Sequence, residues 1–347
     1  MANSALGIDI GTRTITLAEV RDRRGRVAVT NFGGVELPEG AVREGEIIDQ
    51  AAVSAALKEL LGSTKVRNRK AWLGVANQRV VVRQVDLPWV ERSELKQSLR
   101  YQVQEYVPIP VEEAELDAHV VEEFDNDEGE RISRVLLVAA HRDMVTSLVE
   151  AATEAGVKPI GVDLNPFAVL RCIGDASVLD QGSQVVLDVG AAVTSIVVHQ
   201  GRVPTFVRIL VMGGDDITSA LVEGLSIPRD EADTRKREQR VGDTEEVAGR
   251  IVTEGADRFV NEIRSSLDYY RAQMGAAAQL ADVVLTGGGS GLTGLPERLA
   301  SAVGLPVAIG SPFDSYPAEG TVYGPEDLER VGPSLATAVG LALGGLE

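Results

Sequence analysis

A single cysteine, Cys172, excludes an internal disulfide, and the three histidines (His119, His141, His199) stand too far from it and from one another to offer a zinc spacing. A reducing compartment such as the cytosol fits that usage. No apolar run approaches the length needed to span a bilayer, and residues 1–9 lack the basic-then-apolar layout of a secretory signal. Any membrane association is therefore expected to run through a partner. Basic residues are a minority: 34 Lys and Arg face 52 Asp and Glu, for a formal net charge of -18 and a pI near 4.7. That balance argues against duplex nucleic acid or an anionic membrane as the main partner. It does not exclude a nucleotide, because backbone N–H groups and a metal ion can carry phosphates without a basic patch. The Gly-x-x-x-x-Gly-Lys-Ser/Thr phosphate loop is missing, and the glycines at 287–294 come too late in the chain for a dinucleotide fingerprint.

What is present is a short phrase used twice. Gly-Ile-Asp-Ile-Gly-Thr at 7–12 and Val-Leu-Asp-Val-Gly-Ala at 186–191 each read as a strand that delivers an Asp and then turns on a Gly into a second strand. Such a turn aims backbone N–H groups at an anion while its Asp faces the same point. Two of them opposed, with Asp9 and Asp188 as candidate metal ligands, suit a phosphate chain and its magnesium. Thr12, Thr14 and Thr194 are candidate hydroxyl contacts. A third element, Thr286-Gly-Gly-Gly-Ser290, ends an apolar strand where a base or ribose can lie against bare backbone. For hydrolysis no base stands out, and Asn165 before Pro166 reads first as a helix N-cap. Nucleotide binding with slow or no turnover is the expectation.

The length suits two lobes. Strands are expected over 5–10, 14–21 and 26–32, a helix over 50–61 and a strand over 70–76. From about 79 to 156 an inserted α/β subdomain follows: a strand over 80–87, a helix over 91–106, strands over 115–124 and 131–139, and a helix over 143–155. Residues 174–183 form the expected boundary. Strands over 184–189, 194–200 and 202–210 then repeat the opening meander, before helices over 215–223, 229–240 and 244–274. A strand over 282–286, a helix over 295–302, a strand over 307–309 and a helix over 333–343 complete the chain. The organisation reads as a first lobe at 1–175, a second at 182–332, and a terminal helix at 333–347 returning to the first.

Together the two Asp-x-Gly turns, the late Thr-Gly-Gly-Gly-Ser and the small-residue final helix resemble the actin-like ATPases, an α/β, ribonuclease H-like, duplicated two-lobe fold. Within that superfamily the insert, with Leu87-Pro88-Trp89, Glu94-Leu95 and the run Leu99 to Pro108, resembles the PilM family, actin-like cytoplasmic components of type IV pilus machines. Asp163 to Leu170, Gly213 to Thr218 and Ala232 to Lys236 fit the same pattern. The resemblance implies ATP and Mg2+ as ligands. By position, Asp9, Gly11, Thr12, Arg13, Thr14, Asp188, Gly190 and Thr194 would face phosphates and metal; Gly213 and Gly214 would close the phosphate end. Asp233 and Lys236 would lie near ribose or base, and Gly287, Gly288, Gly289 and Ser290 against adenosine. Lys236 also reads as a solvated charge in the run 235–240.

Thr16 stands where relatives often carry Lys, and Gln102 where they often carry Glu. Aromatics are only 4% of the chain, yet Trp89, Tyr101 and Tyr106 collect in the insert. With Leu95 and Leu99 they outline a cleft which, by resemblance, holds the cytoplasmic N-terminal peptide of a PilN-like single-pass membrane protein. A pilus motor ATPase, a PilO-like protein and self-association are further implied partners, and the implied location is the inner face of the cell membrane. Two other functions compete. An FtsA-like filament-forming ATPase is disfavoured because the chain ends without a basic amphipathic stretch, and a sugar or acid kinase because no Asp base stands out.

Overall fold

The computed structural model describes residues 3–175, 182–275 and 278–346. The boundary expected at 174–183 lies mostly outside them. Strands β1 (Asn3–Ile10), β2 (Thr14–Arg23) and β3 (Arg26–Glu36) form an antiparallel meander. Its tight β2–β3 turn places Arg24 and Gly25 at positive φ, 59° and 83°. A two-residue ladder of β4 (Val42–Arg43) and β5 (Glu46–Ile47) precedes helix α1 (Gln50–Ser63). Asp49 caps α1 by accepting the Ala52 N–H at 3.0 Å, and Val53, Leu57, Leu60 and Leu61 bury one face. Each fully buried Leu of this kind contributes roughly 1.5–3 kcal/mol of transfer free energy. β6 (Lys70–Val75) then pairs in parallel with β1.

The insert comprises β7 (Val81–Pro88), α2 (Arg92–Gln102), β8 (Ala114–Asp125) and β9 (Arg131–His141), a three-stranded antiparallel sheet in the order β7-β9-β8. Helix α3 (Arg142–Glu154), β10 (Lys158–Leu164) and α4 (Asn165–Ile173) follow. The first large sheet runs β10-β6-β1-β2-β3.

The second half repeats the plan. β11 (Ser183–Val189), β12 (Thr194–Gln200) and β13 (Val203–Leu210) form the meander. Helices α5 (Gly214–Leu225), α6 (Arg229–Glu238) and the long α7 (Val247–Met274) come next. β14 (Leu280–Thr286), α8 (Leu295–Val303), β15 (Val307–Ile309), α9 (Pro325–Val331) and α10 (Ala336–Gly344) finish the chain. The second sheet runs β13-β12-β11-β14-β15, so each strand of one sheet has a counterpart at the same place in the other.

Two helices join the halves. α10 packs on β1, β2 and β6, where Ala338, Val339 and Ala342 meet Ala5, Ala18 and Val20. α4 packs on the second sheet through Val169 and Leu170 against Val186 and Val197. α4 and α10 also lie against each other. Among the described residues no helix is long and apolar enough to cross a membrane.

Helix α2 corrects the expected span of 91–106. It ends at Gln102, with the Val103 N–H closing back on Leu99 O at 3.0 Å. Pro108 restricts the residue before it to extended backbone, and Val103, Val107 and Ile109 turn into the core of the insert instead of continuing the helix. Tyr106 therefore stands outside the helix. α9, which was not expected, is seven residues long and buries none of them, so it has no apolar face to read.

Candidate functional site

Asp9 and Asp188 sit one residue before the ends of β1 and β11, and their turns close alike. The Gly11 N–H donates to Thr14 O at 3.0 Å, and the Gly190 N–H to Val193 O at 2.9 Å. The two carboxylates are half-buried and close enough to feel each other. Burial, then the facing Asp188, pushes the Asp9 pKa up to about 7, against the opposing hydrogen bond of Asn165. Burial pushes Asp188 up to about 6, against the hydrogen bond of Thr337.

Each carboxylate is held by the start of a joining helix. Asn165 Nδ2 donates to Asp9 Oδ1 at 2.9 Å, and Thr337 Oγ1 donates to Asp188 Oδ2 at 3.1 Å. Asn165 is thus not the N-cap that its place before Pro166 suggested. Leu164 occupies the cap, and the Asn165 side chain is directed across to β1 because Gly74, in register with Asp9, leaves it room. Asn165 Oδ1 remains buried without a partner. Thr337 was missed by sequence reasoning; the available signal was one hydroxyl within an otherwise small, apolar helix.

The third element closes on the second Asp. Gly287 has φ +84°, and a Cβ there would overlap the Asp188 carboxylate, so only glycine fits. The Gly287 N–H and the Thr286 hydroxyl both donate to Pro333 O, at 3.1 Å each, which ties this turn to the start of the terminal segment. Gly288 faces open space. Gly289 lies against Val189, and Ser290 is buried with its hydroxyl donating to Gly287 O at 2.7 Å, so Ser290 braces the turn and does not line open cleft. Thr194 likewise differs from an open hydroxyl contact: it is fully buried and donates to Met212 O at 2.8 Å.

At the other end, the Gly214 and Asp215 N–H groups donate to Gly190 O (3.1 Å) and Ala191 O (2.8 Å), and the Gly213 N–H to Asp216 Oδ2 (2.8 Å). Helix α5 thereby grips the Asp188 turn. Lys236 is not the solvated charge its basic run suggested. Its Nζ donates to Gly214 O at 3.1 Å, Thr218 Oγ1 at 2.6 Å and Asp233 Oδ1 at 3.1 Å. Although burial works against it, the hydrogen bonds of Thr218 and Lys236 hold Asp233 below the usual carboxylate range. In the first turn Thr12 is half-buried, Thr14 is exposed, and Arg13 crosses to Asp215 at 2.8 Å. Thr16, opposite Asp9 on β2, is 7% exposed and its hydroxyl has no partner.

These residues fit a magnesium nucleotide. Two desolvated carboxylates of raised pKa face each other, an unpartnered amide oxygen is buried beside them, and a bare glycine lies open next to the second turn. Among the described residues no group of three or more His, Cys, Asp or Glu side chains forms a metal cage. Mg2+ commonly completes such a carboxylate pair with water and phosphate oxygens.

The five aromatic and apolar residues of the insert do not gather into one surface. Leu95 and Leu99 are buried in the core of the insert with Val85, Leu87, Val135 and Leu137, which corrects their expected place in a peptide cleft. Their spacing of four marks the inward face of α2, and the sheet of the insert takes that face. Tyr106 packs partly against the same core. Trp89 is half-buried with the Arg131 guanidinium 4.4 Å from its ring centroid, while Tyr101 is 83% exposed.

Solved structures extend this picture. A chain of the PilM-PilN type IV pilus biogenesis complex superposes with a TM-score of 0.87 at 28% identity, covering 99% of this chain and 98% of that one. MreB5 of Spiroplasma citri bound to ADP superposes at 0.54 with 9% identity, covering 97% and 94%, a likeness of fold alone. In sequence, the cell division protein FtsA of Neisseria meningitidis serogroup B is 24% identical over 382 residues, 96% of this chain and 88% of FtsA. The fold is the actin-like, duplicated two-lobe α/β fold with an inserted subdomain. Residues 7–346, nearly the whole chain, match the family described as type IV pilus assembly protein PilM, and the chain belongs to that family.

Proposed function

We propose that this protein is an ATP-binding scaffold of a type IV pilus machine, which holds the cytoplasmic N-terminal peptide of a PilN-like single-pass membrane protein and through it sits at the inner face of the membrane. The observation that carries this reading is the near-complete likeness to a chain of the PilM-PilN complex. In it, residues 1–175 with the insert at about 79–156 and residues 182–332 are the two lobes that close on the nucleotide, and the terminal segment at 333–347 returns to the first. Asp9 and Asp188 hold the metal, the turns at 11–14 and 190–194 with Gly213 and Gly214 surround the phosphates, and Gly287 to Gly289 support the nucleoside. The protein of known structure bound to ADP in the same fold supports a nucleotide there. A bound MgATP would supply the charge that draws the two carboxylate turns together. Asp233 and Lys236, engaged with Thr218 and Gly214, brace the phosphate end, and Asn165 and Thr337 orient the carboxylates.

On the insert, Tyr101 and Trp89 are the anchors for the peptide, since Leu95 and Leu99 face inward. Isothermal titration with a peptide from the cytoplasmic N-terminus of the single-pass partner tests this. Binding should weaken about 10-fold in Tyr101→Ala, as expected for an interface aromatic. The melting temperature should not change, because an exposed side chain outside the core contributes little to stability. Absence of binding by every such peptide would remove the scaffold reading.

A further inference from the structure

Four side chains of alternating charge cross the mouth of the cleft. Arg13 Nε meets Asp215 Oδ2 at 2.8 Å, Arg229 Nη2 meets the same oxygen at 2.8 Å, and Arg229 Nη1 lies 3.5 Å from Glu39 Oε1. Arg13 and Glu39 belong to the half that carries Asp9, and the Leu37 N–H fixes their loops together by donating to Arg13 O at 2.8 Å. Asp215 and Arg229 belong to the half that carries Asp188, and the Asp215 N–H is seated on Ala191 O beside that carboxylate. The cluster therefore bridges the two turns directly. The inner three residues are half-buried, while Glu39 is exposed.

Their hydrogen bonding is incomplete. Two guanidinium groups share one carboxylate oxygen, and both Arg13 Nη2 and Arg229 Nε are buried without an acceptor. Unpaired buried donors call for a further acceptor, and the planar fork of arginine matches phosphate oxygens in particular. Asp215 satisfies the arginines only in part and would repel a phosphate brought next to it.

We propose that Arg13 and Arg229 receive the terminal phosphate of a nucleoside triphosphate, exchanging Asp215 for it, so that this cluster closes the cleft on a triphosphate and not on a diphosphate. The proposal rests on the nucleotide reading above and assigns Arg229, Asp215 and Glu39, which the turn motifs do not identify. Glu39, still paired with Arg229, keeps the half that carries Asp9 attached while Asp215 is released.

The test is calorimetric titration of MgATP and MgADP into the wild type and into Arg229→Gln, Arg229→Lys and Asp215→Asn. Removing one charged donor to phosphate in Arg229→Gln should lower ATP affinity about 10-fold and ADP affinity less than about 2-fold. Arg229→Lys, which keeps the charge without the fork, should recover part of the loss. Asp215→Asn should raise ATP affinity about 5-fold, because a like charge leaves the receptor, with ADP unaffected. Equal effects on the two nucleotides, or none, would overturn this inference alone. A wild type that binds neither would remove the nucleotide reading, and this inference with it.

Discussion

Asp9→Asn should raise the melting temperature of the ligand-free protein at pH 8 by about 5 °C, and should also abolish the rise that MgATP produces in the wild type. Asp9 titrates near 7 in the folded protein against an ordinary value of 3.8, chiefly because it is buried and secondly because Asp188 faces it. An acid raised in this way favours the fold only while protonated. Its contribution is complete below about pH 4 and is lost as pH rises through about 7, and the pair titrates as a unit with Asp188, which is raised to about 6. At pH 8 both carboxylates are charged and desolvated, at a cost of about 4 kcal/mol for Asp9 by linkage. Asn removes that charge while its side-chain oxygen can still accept from Asn165 Nδ2. At pH 4 the advantage should disappear. Differential scanning fluorimetry from pH 4 to 8, with and without MgATP, measures both effects. A variant less stable than wild type at pH 8, or one that still responds fully to MgATP, would refute the assignment of Asp9.

Gly340→Ala should destabilise the protein by about 3 kcal/mol or more and weaken MgATP binding together with it. Gly340 lies where α10 crosses α4, and a methyl group there would overlap the Ala168 backbone, carbonyl oxygen included. Backbone cannot rotate away as a side chain can, so the two joining helices must separate. Those helices carry Asn165 and Thr337, and their separation would draw both hydrogen bonds off the carboxylates. Intrinsic helix propensity favours Ala over Gly by about 1 kcal/mol, so the expected sign comes from packing alone. Gly62, on α1 with open space around it, serves as the control: Gly62→Ala should be neutral or slightly stabilising in urea denaturation. A stabilising Gly340→Ala would show that the helix crossing is not tight.

Most elements were readable because their signals are local. The apolar-Asp-x-Gly phrase needs only six residues, the stripe of Val53, Leu57, Leu60 and Leu61 one helix, and the strands of the insert only alternation about an acidic turn. Errors arose where a local preference met a distant competitor. An Asn before Pro usually caps a helix, but Asn165 faced Asp9 across the bare position of Gly74. A basic run usually faces water, but Lys236 found the carbonyl of Gly214 and the hydroxyl of Thr218. The spacing of Leu95 and Leu99 marks one apolar face, yet periodicity does not say whether such a face turns to a partner or to the molecule's own sheet.

The sequence by itself determined the duplicated strand-turn-strand units, the insert and the carboxylates available to the site, since turn glycines and side-chain periodicity act over a few residues. Only the tertiary structure decided how the site is held. Asn165 and Asp9 stand 156 positions apart, Thr337 and Asp188 stand 149, and Arg13 and Asp215 stand 202. Those meetings follow from the order of the strands and from α4 and α10 crossing between the sheets. No local pattern encodes such contacts, because they form only once the apolar faces of both halves have packed.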